Sequence, residues 1–277
     1  MKQVVSGQHL MPAKACCFIG FYGLDRSLRW TAPSIRKNIL APLKREGFRC
    51  LIAGHFNRPD IIDHPASGER GVVVRHPPTR YLDFDMLWIE PQSVAQASPL
   101  INAALSVPFR DYEDPTGGVR RNIVYQMHSL ARLAQLAELA QPSRFQVFLL
   151  LRPDIEYIDP LDMDAVRSVV DGQADIVSPS WHMFGGLNDR FCIANYKGGR
   201  AYLTRGDHLE AYCAEHGHLH PESLLKAAVE HAGLRVRLTD QRALRVRATG
   251  ETRAEGFHLP KPVRLIHRAR PLLNWLP

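Results

Sequence analysis

The chain has 277 residues, 45% hydrophobic and 23% charged, which is enough to bury a full core and excludes a disordered, fibrous or disulfide-stapled protein. Its formal charge of +7 is unevenly placed. Residues 235–277 hold ten Lys/Arg against three Asp/Glu, so residues 1–234 are close to neutral and the basic end suits a polyanion such as nucleotide phosphate or an anionic membrane surface. No apolar window reaches a membrane span and the start lacks the layout of a secretory signal, which predicts a cytoplasmic protein. The five cysteines have no metal-type spacing and read as reduced, buried thiols.

In chain order, "CCFIGFYG" (16–23) reads as a buried strand closing on glycine. "TAPSIRKNILAPLKREG" sets Ile35, Ile39 and Leu43 at helical spacing, and "FRCLIAGHF" is a second strand. This β–loop–α–β opening predicts an α/β fold with a mainly parallel central sheet, whose ligands bind at strand carboxyl ends. Residues 57–116 are rich in Pro, Asp and Gly and read as irregular, with one short strand near "GVVVRH". A helix over 119–139 carries the stripe Ile123, Met127, Leu130, Ala134 and Ala137. A strand at 146–152, a helix at "AVRSVVDG", a strand at "DIVSPS" and a helix at "HPESLLKAAVEHAG" follow. "LRVRLT" and "ALRVRAT" alternate apolar and basic residues, as half-exposed strands do.

Three stretches carry chemistry. In "RPDIEYIDP" the side chains of Arg152, Asp154 and Glu156 share a face if the segment is extended, and two carboxylates at a strand end can hold a divalent cation against a diphosphate. Arg152 can contact phosphate directly or pair with a carboxylate, and a structural Arg–Asp pair closing a turn fits the same spacing. "FYGLDRSLRWT" puts Arg26 and Arg29 on a strand-end loop before a helix, a position that favours anions. "GGLNDRF" (185–191) gathers an amide, a carboxylate and a guanidinium after two glycines, suited to sugar hydroxyls with Asp189 as a general base, or else to an Asx-turn or helix cap. Glu222 of "HPE" sits where a helix first turn welcomes a carboxylate, and "EHGHLH" reads as a polar connection.

The segments "FYGLDRSLRWTAPSIRKNIL", "RNIVYQMHSLARL", "VFLLLRPDIEYIDPLD", "WHMFGGLNDRF" and "ALRVRATGE" occur in the order and spacing of bacterial glycosyltransferase-like proteins of surface-polysaccharide gene sets, which the chain resembles over most of residues 16–251. The resemblance implies a GT-A-type, Rossmann-like α/β sandwich as a single catalytic domain over 1–255, followed by a basic and apolar tail at 256–277. It implies a nucleotide-sugar donor held by Tyr22, Gly23, Arg26, Arg29, Asn122, Arg152 and Asp154. Asp154 and Glu156 would hold Mn2+ or Mg2+; the motif reads Asp-Ile-Glu in place of the usual Asp-x-Asp. Gly186, Asn188, Arg190 and Glu222 would face a glycan or lipid-linked acceptor. Asp189 would be the base of an inverting enzyme, or orient the substrate of a retaining one.

The expected activity is glycosyl transfer at the inner membrane face, the tail with Phe257, Leu265, Leu272 and Trp275 supplying peripheral membrane contact. A nucleotide-binding hydrolase or sugar-nucleotide phosphotransferase would use the same carboxylates. A polyanion or nucleic-acid binder is the alternative of another class. No nucleic acid is expected as a partner, because aromatic residues are not interleaved with the basic strands.

Overall fold

The computed structural model describes residues 15–64, 69–73, 76–253 and 255–257. The strands are β1 (Cys16–Gly23), β2 (Arg49–Arg58), β3 (Ile62–His64), β4 (Glu69–Val72), β5 (Met86–Pro91), β6 (Val147–Leu151), β7 (Ile155–Tyr157), β8 (Ile176–Pro179), β9 (Phe191–Ala194), β10 (Val236–Thr239), β11 (Ala243–Val246) and β12 (Thr252–Arg253). The helices are α1 (Leu28–Ser34), α2 (Ala41–Arg45), α3 (Gln92–Gln96), α4 (Leu100–Leu105), α5 (Gly118–Leu139), α6 (Met163–Val170), α7 (Tyr196–Leu203), α8 (Leu209–His216) and α9 (Pro221–His231).

Seven strands form the central sheet in the order β10-β8-β9-β6-β1-β2-β5. Four of its six pairings are parallel and only β9 runs against both neighbours, so the fold is α/β with a mixed, mostly parallel sheet. Strand alternation splits the core in two. Phe18 and Tyr22 of β1 join the layer formed by α5, α7, α8 and α9, while Cys17, Ile19 and Phe21 join the layer under α1, α2 and α6.

Helices α1 and α2 are joined by a wide π-helical turn, Ile35–Leu40, in which the Ala41 N–H bonds to the carbonyl five residues back, at Arg36. Pro42 has no N–H for the Asn38 carbonyl, which instead accepts from the Leu161 N–H at 2.7 Å. The Asn38 side chain adds a 2.7 Å bond to the Tyr157 carbonyl, so this helix is pinned to the segment that follows β6.

Residues 57–116, expected to be irregular, contain the β3–β4 hairpin, edge strand β5, and helices α3 and α4. Strand β9 and helices α7 and α8 also lie where no element was expected. The two basic strands enter different sheets: β10 is the edge strand beside β8, and β11 pairs with β7 and β12 in a small antiparallel sheet. Of the tail residues, Phe257 packs its ring against Trp181 at 5.3 Å between centroids. Leu265, Leu272 and Trp275 lie outside the described residues. Among the described residues no helix is long and apolar enough to cross a membrane.

Candidate active site

The order of the sheet reverses at β1, whose neighbours β2 and β6 are reached by connections running opposite ways. In an open α/β sheet such a switch point opens a crevice beyond the strand carboxyl ends. A cleft of about 340 Å³ lies there, lined by the residues that leave β1 (Tyr22, Gly23, Arg26) and β6 (Arg152, Pro153, Asp154).

Strand β6 stops at Leu151, the chain turns through Pro153 and Asp154, and β7 carries it away to pair with β11. The turn is clamped on both sides. Thr31 Oγ1 of α1 donates to the Pro153 carbonyl at 2.6 Å, and the Val246 N–H donates to the Asp154 carbonyl at 2.8 Å. Arg152 grips the Asp154 carboxylate with two bonds, Nε at 3.0 Å and Nη2 at 2.8 Å, and Arg26 stands 3.4 Å from the same carboxylate while holding Glu69 at 2.6 Å. Burial raises the Asp154 carboxyl, but Arg152, Arg26 and Arg245 outweigh it and hold the group well below the usual carboxylate range.

Four guanidiniums, Arg26, Arg152, Arg245 and Arg247, line the cleft, with Asp154 the carboxylate among its lining residues. Burial, Arg190 and Arg152 push the Arg245 pKa down to about 10, which is far for an arginine. The Nε atoms of Arg26 and Arg245 are buried without a hydrogen-bond partner among the described residues. Buried, unbonded donors on guanidiniums suit an anionic ligand. Farther along, Asn57, Ile61, Ile62, Gln92, Asn122 and Tyr125 form a wall with few charges. Asn57 donates to the Tyr125 carbonyl at 2.8 Å and keeps its own Oδ1 buried and unbonded, an acceptor for a ligand N–H or O–H.

Asp189 lies beneath this cleft and is 4% exposed. Its carboxylate takes a 2.8 Å bond from Gln126 and stands 3.6 Å from Arg205 and 4.0 Å from Arg152. Its carbonyl accepts from the hydroxyls of Tyr22 and Tyr202, both at 2.7 Å. Burial raises this carboxyl, but Arg152, Arg205, the Gln126 bond and Arg190 together keep it below the ordinary range. A carboxylate so stabilised is a weak base. Arg205, Gln126 and Tyr202 carry no local sequence signal for this role.

Several expected site residues fall elsewhere. Arg29 is outside the cleft, on the surface, with its guanidinium 4.1 Å from the Trp30 ring centre. Glu156 sits on β7 opposite Leu244 and does not line the cleft, because the chain turns at Pro153–Asp154 instead of staying extended. Asn188 is wholly enclosed: its Oδ1 accepts from the Arg190 N–H at 2.9 Å in an Asx-turn, and its amide donates to the Trp181 carbonyl at 2.6 Å. Arg190 is buried, paired with Glu255 at 3.0 Å, and lies over the Trp181 ring.

Gly186 and Glu222 do come together. A Cβ on Gly186 would stand 2.1 Å from the Glu222 carbonyl oxygen, so only glycine lets this loop reach the first turn of α9. Just before it, His182 and Phe184 hold left-handed backbone, and Arg110 donates to the Phe184 carbonyl and, at 2.7 Å, to Ser223. Glu222 is buried, and that burial together with the charge of Asp189 raises its carboxyl to about 8. The nearest imidazole nitrogen is His220 Nδ1 at 3.4 Å, which makes no hydrogen bond among the described residues, while His220 Nε2 stands 2.9 Å from Asp111.

The fit of Mn2+ or Mg2+ at Asp154 can be judged from these contacts. Both oxygens of Asp154 are engaged by arginine and Glu156 does not line the cleft, so the pair does not form a divalent-cation site. Among the described residues the group whose ligand atoms converge is another one, His55, Glu90 and His128.

Fold and site together define a mixed α/β protein with an arginine-lined cleft at its strand carboxyl ends. The fold is similar to those of solved glycosyltransferases. Mouse xyloside xylosyltransferase 1 in its apo form aligns with a TM-score of 0.43 and 12% identity over 82% of this chain and 85% of that one. Core-mannan synthase A of Aspergillus fumigatus, solved in an Mn/GDP form, aligns with a TM-score of 0.43 and 8% identity over 84% and 75%. Neither a family model nor a curated protein matches the sequence.

Proposed function

We propose that the protein is a nucleotide-sugar-dependent glycosyltransferase acting on a hydroxyl of a glycan or lipid-linked acceptor of the bacterial cell surface. The observation that carries this reading is the cleft at the ends of β1 and β6, lined by Arg26, Arg152 and Arg245, with buried, unbonded Nε atoms on Arg26 and Arg245. Glycosyl transfer leaves negative charge on the departing diphosphate as the sugar carbon becomes cationic, and fixed guanidiniums stabilise that charge without reorganising. Arg26, Arg152 and Arg245 hold the diphosphate, with Tyr22 and Gly23 shaping the cleft at the end of β1. Asn57, Asn122 and the uncharged wall take the nucleoside. Asp154 and Asp189 keep the guanidiniums in place, so the phosphate charge is met by arginine and no metal is called on.

The acceptor enters beside the Phe184–Gly186 loop. There Glu222, with its carboxyl near 8, is tuned to exchange a proton close to neutrality, with the His220 ring 3.4 Å away. Residues 256–277 bring the enzyme to an anionic membrane; unchanged liposome co-sedimentation after their removal would exclude that role.

The test is a thermal-shift series with UDP, GDP, CDP, CMP and ADP, in EDTA and in Mn2+, each against buffer of the same metal content. One nucleotide should stabilise the protein selectively in EDTA, by about 2.7 kcal/mol at a hundred times its dissociation constant. Arg245→Ala should abolish the effect. No shift with any nucleotide sinks the donor site, and hydrolysis of a matching nucleotide-sugar to sugar 1-phosphate and nucleoside monophosphate, with no sugar moved to an acceptor, would favour a hydrolase.

A further inference from the structure

Outside the cleft, three side chains converge from three elements. His55 comes from β2, Glu90 from β5 and His128 from α5, and one ligand atom of each lies within 4.8 Å of the others. His128 Nε2 is 2.7 Å from Glu90 Oε2, and His55 Nε2 is 3.3 Å from the same oxygen. None of the three lines the cleft, and the activity proposed above uses none of them.

The hydrogen bonds orient His55. Ser129 Oγ accepts the Gly23 N–H at 2.8 Å and reaches both the His55 carbonyl and His55 Nδ1 at 2.9 Å. With the hydroxyl proton on the carbonyl, Oγ accepts the Nδ1 hydrogen and the Nε2 lone pair faces a carboxylate oxygen, inside a residue that is 0% exposed. In that tautomer a cation belongs between the two acceptors, either a proton or a metal ion.

The surroundings are those of a metal ligand set. Histidine ligands are oriented by a hydrogen bond on the other ring nitrogen, which Ser129 supplies to His55. Arg132, whose guanidinium lies 4.8 Å from the Trp88 ring centre, stands 3.4 Å from Glu90 Oε1 and leaves Oε2 for the ion. Ligand atoms on a tetrahedral zinc stand about 3.3 Å apart, so His55 and Glu90 already have the spacing, His128 must withdraw from Glu90 by a few tenths of an ångström, and the two imidazole nitrogens start within 4.8 Å of each other. Two imidazoles and one carboxylate favour zinc-class ions over Mg2+ or Ca2+.

We propose that His55, Glu90 and His128 bind one divalent ion of the zinc class, which fastens α5 to β2 and β5 and, through Ser129, steadies the Gly23 peptide at the lip of the cleft. Its role is structural and it is independent of which nucleotide the cleft takes.

The experiment is a titration of the full-length, EDTA-stripped protein with Zn2+ under metal analysis and with Co2+ under visible spectroscopy. One equivalent per chain should bind, Co2+ should show ligand-field bands of a low-coordinate nitrogen–oxygen site, and Zn2+ should raise the Tm. Glu90→Gln and His128→Gln should weaken binding by at least about 100-fold, and Ser129→Ala by about 10–100-fold. Glu156→Gln should bind as wild type. A folded wild-type protein that takes up no stoichiometric Zn2+ or Co2+ overturns the site and leaves a proton between His55 and Glu90. So does a folded His128→Gln protein that binds unchanged. The wild-type titration decides even if a variant fails to fold.

Discussion

Asp154 and Glu222 are both buried carboxylates, and Arg152 influences both, yet their charge states at neutral pH are opposite. Around Asp154, Arg152 closes a two-bond fork and Arg26 approaches from the other side, so burial is outweighed and the group stays ionised. Among the described residues no ion pair joins Glu222 to a guanidinium; burial and the charge of Asp189 act together and lift it to about 8, despite Arg190 and Arg152. The difference teaches that enclosure alone does not set a carboxylate's state. The guanidiniums close enough to outweigh burial decide it.

The sharpest way to break this comparison is Arg152→Ala, which strips Asp154 of its fork and leaves Asp189 with Arg205 as its nearer cation. We expect a loss of about 3–5 kcal/mol in urea denaturation at pH 7 and no nucleotide-induced thermal shift. Arg152→Lys should fall between, keeping the charge without the fork. A loss below about 1 kcal/mol would show that Asp154 does not depend on Arg152.

Glu222→Gln tests the other half. The folded carboxyl, near 8, lies above its unfolded value of about 4.3. Below the unfolded value both states are protonated and the group costs nothing. Between about 4.3 and 8 the folded state holds a proton that the unfolded state releases, so stability falls as pH rises, by up to about 1.4 kcal/mol per pH unit, and levels above 8. The variant should therefore match wild type near pH 4.5 and exceed it by a few kcal/mol at pH 8.5. Equal stability at both pH values would mean that Glu222 is ionised in the fold.

Gly186→Ala probes what encloses Glu222. Its methyl would press on the Glu222 carbonyl at 2.1 Å, and we expect a cost of about 1–3 kcal/mol together with a Glu222 titration moved towards ordinary values as the loop lifts. Denaturation curves and carboxyl NMR titration read both effects. The smallest effect is expected from Glu156→Ala, within about 0.5 kcal/mol and with nucleotide binding intact. Loss of nucleotide binding there would restore the paired-carboxylate reading of this strand end.

Much of the central fold was legible. The apolar runs of β1, β2 and β6 and the stripe of α5 are strong because each packs against elements on both sides or along a full face. The edge strand β5 was missed because its residues are only half buried and carry a weaker pattern. Helix α7 was missed because Gly198 and Gly199 lower its intrinsic preference for helix. At the site, Arg152 and Asp154 could be found from a strand end that changes abruptly from apolar to charged. Arg205, Gln126 and Asn57 could not, since they come from distant segments and carry no pattern of their own.

By itself the sequence determined that an α/β sheet forms, that β1 and β6 deliver charged loops at their ends, and which residues those loops contain. Tertiary structure alone decided which charges meet. It turned the chain at Pro153, so that Asp154 faces Arg152 while Glu156 leaves with β7, and it carried Asp189 beneath the cleft and left Glu222, among the described residues, with no ion pair to an arginine. The physical reason is range: hydrophobic period is set by neighbours a few residues apart, whereas the state of a buried charge depends on whatever partner the fold brings within a few ångströms.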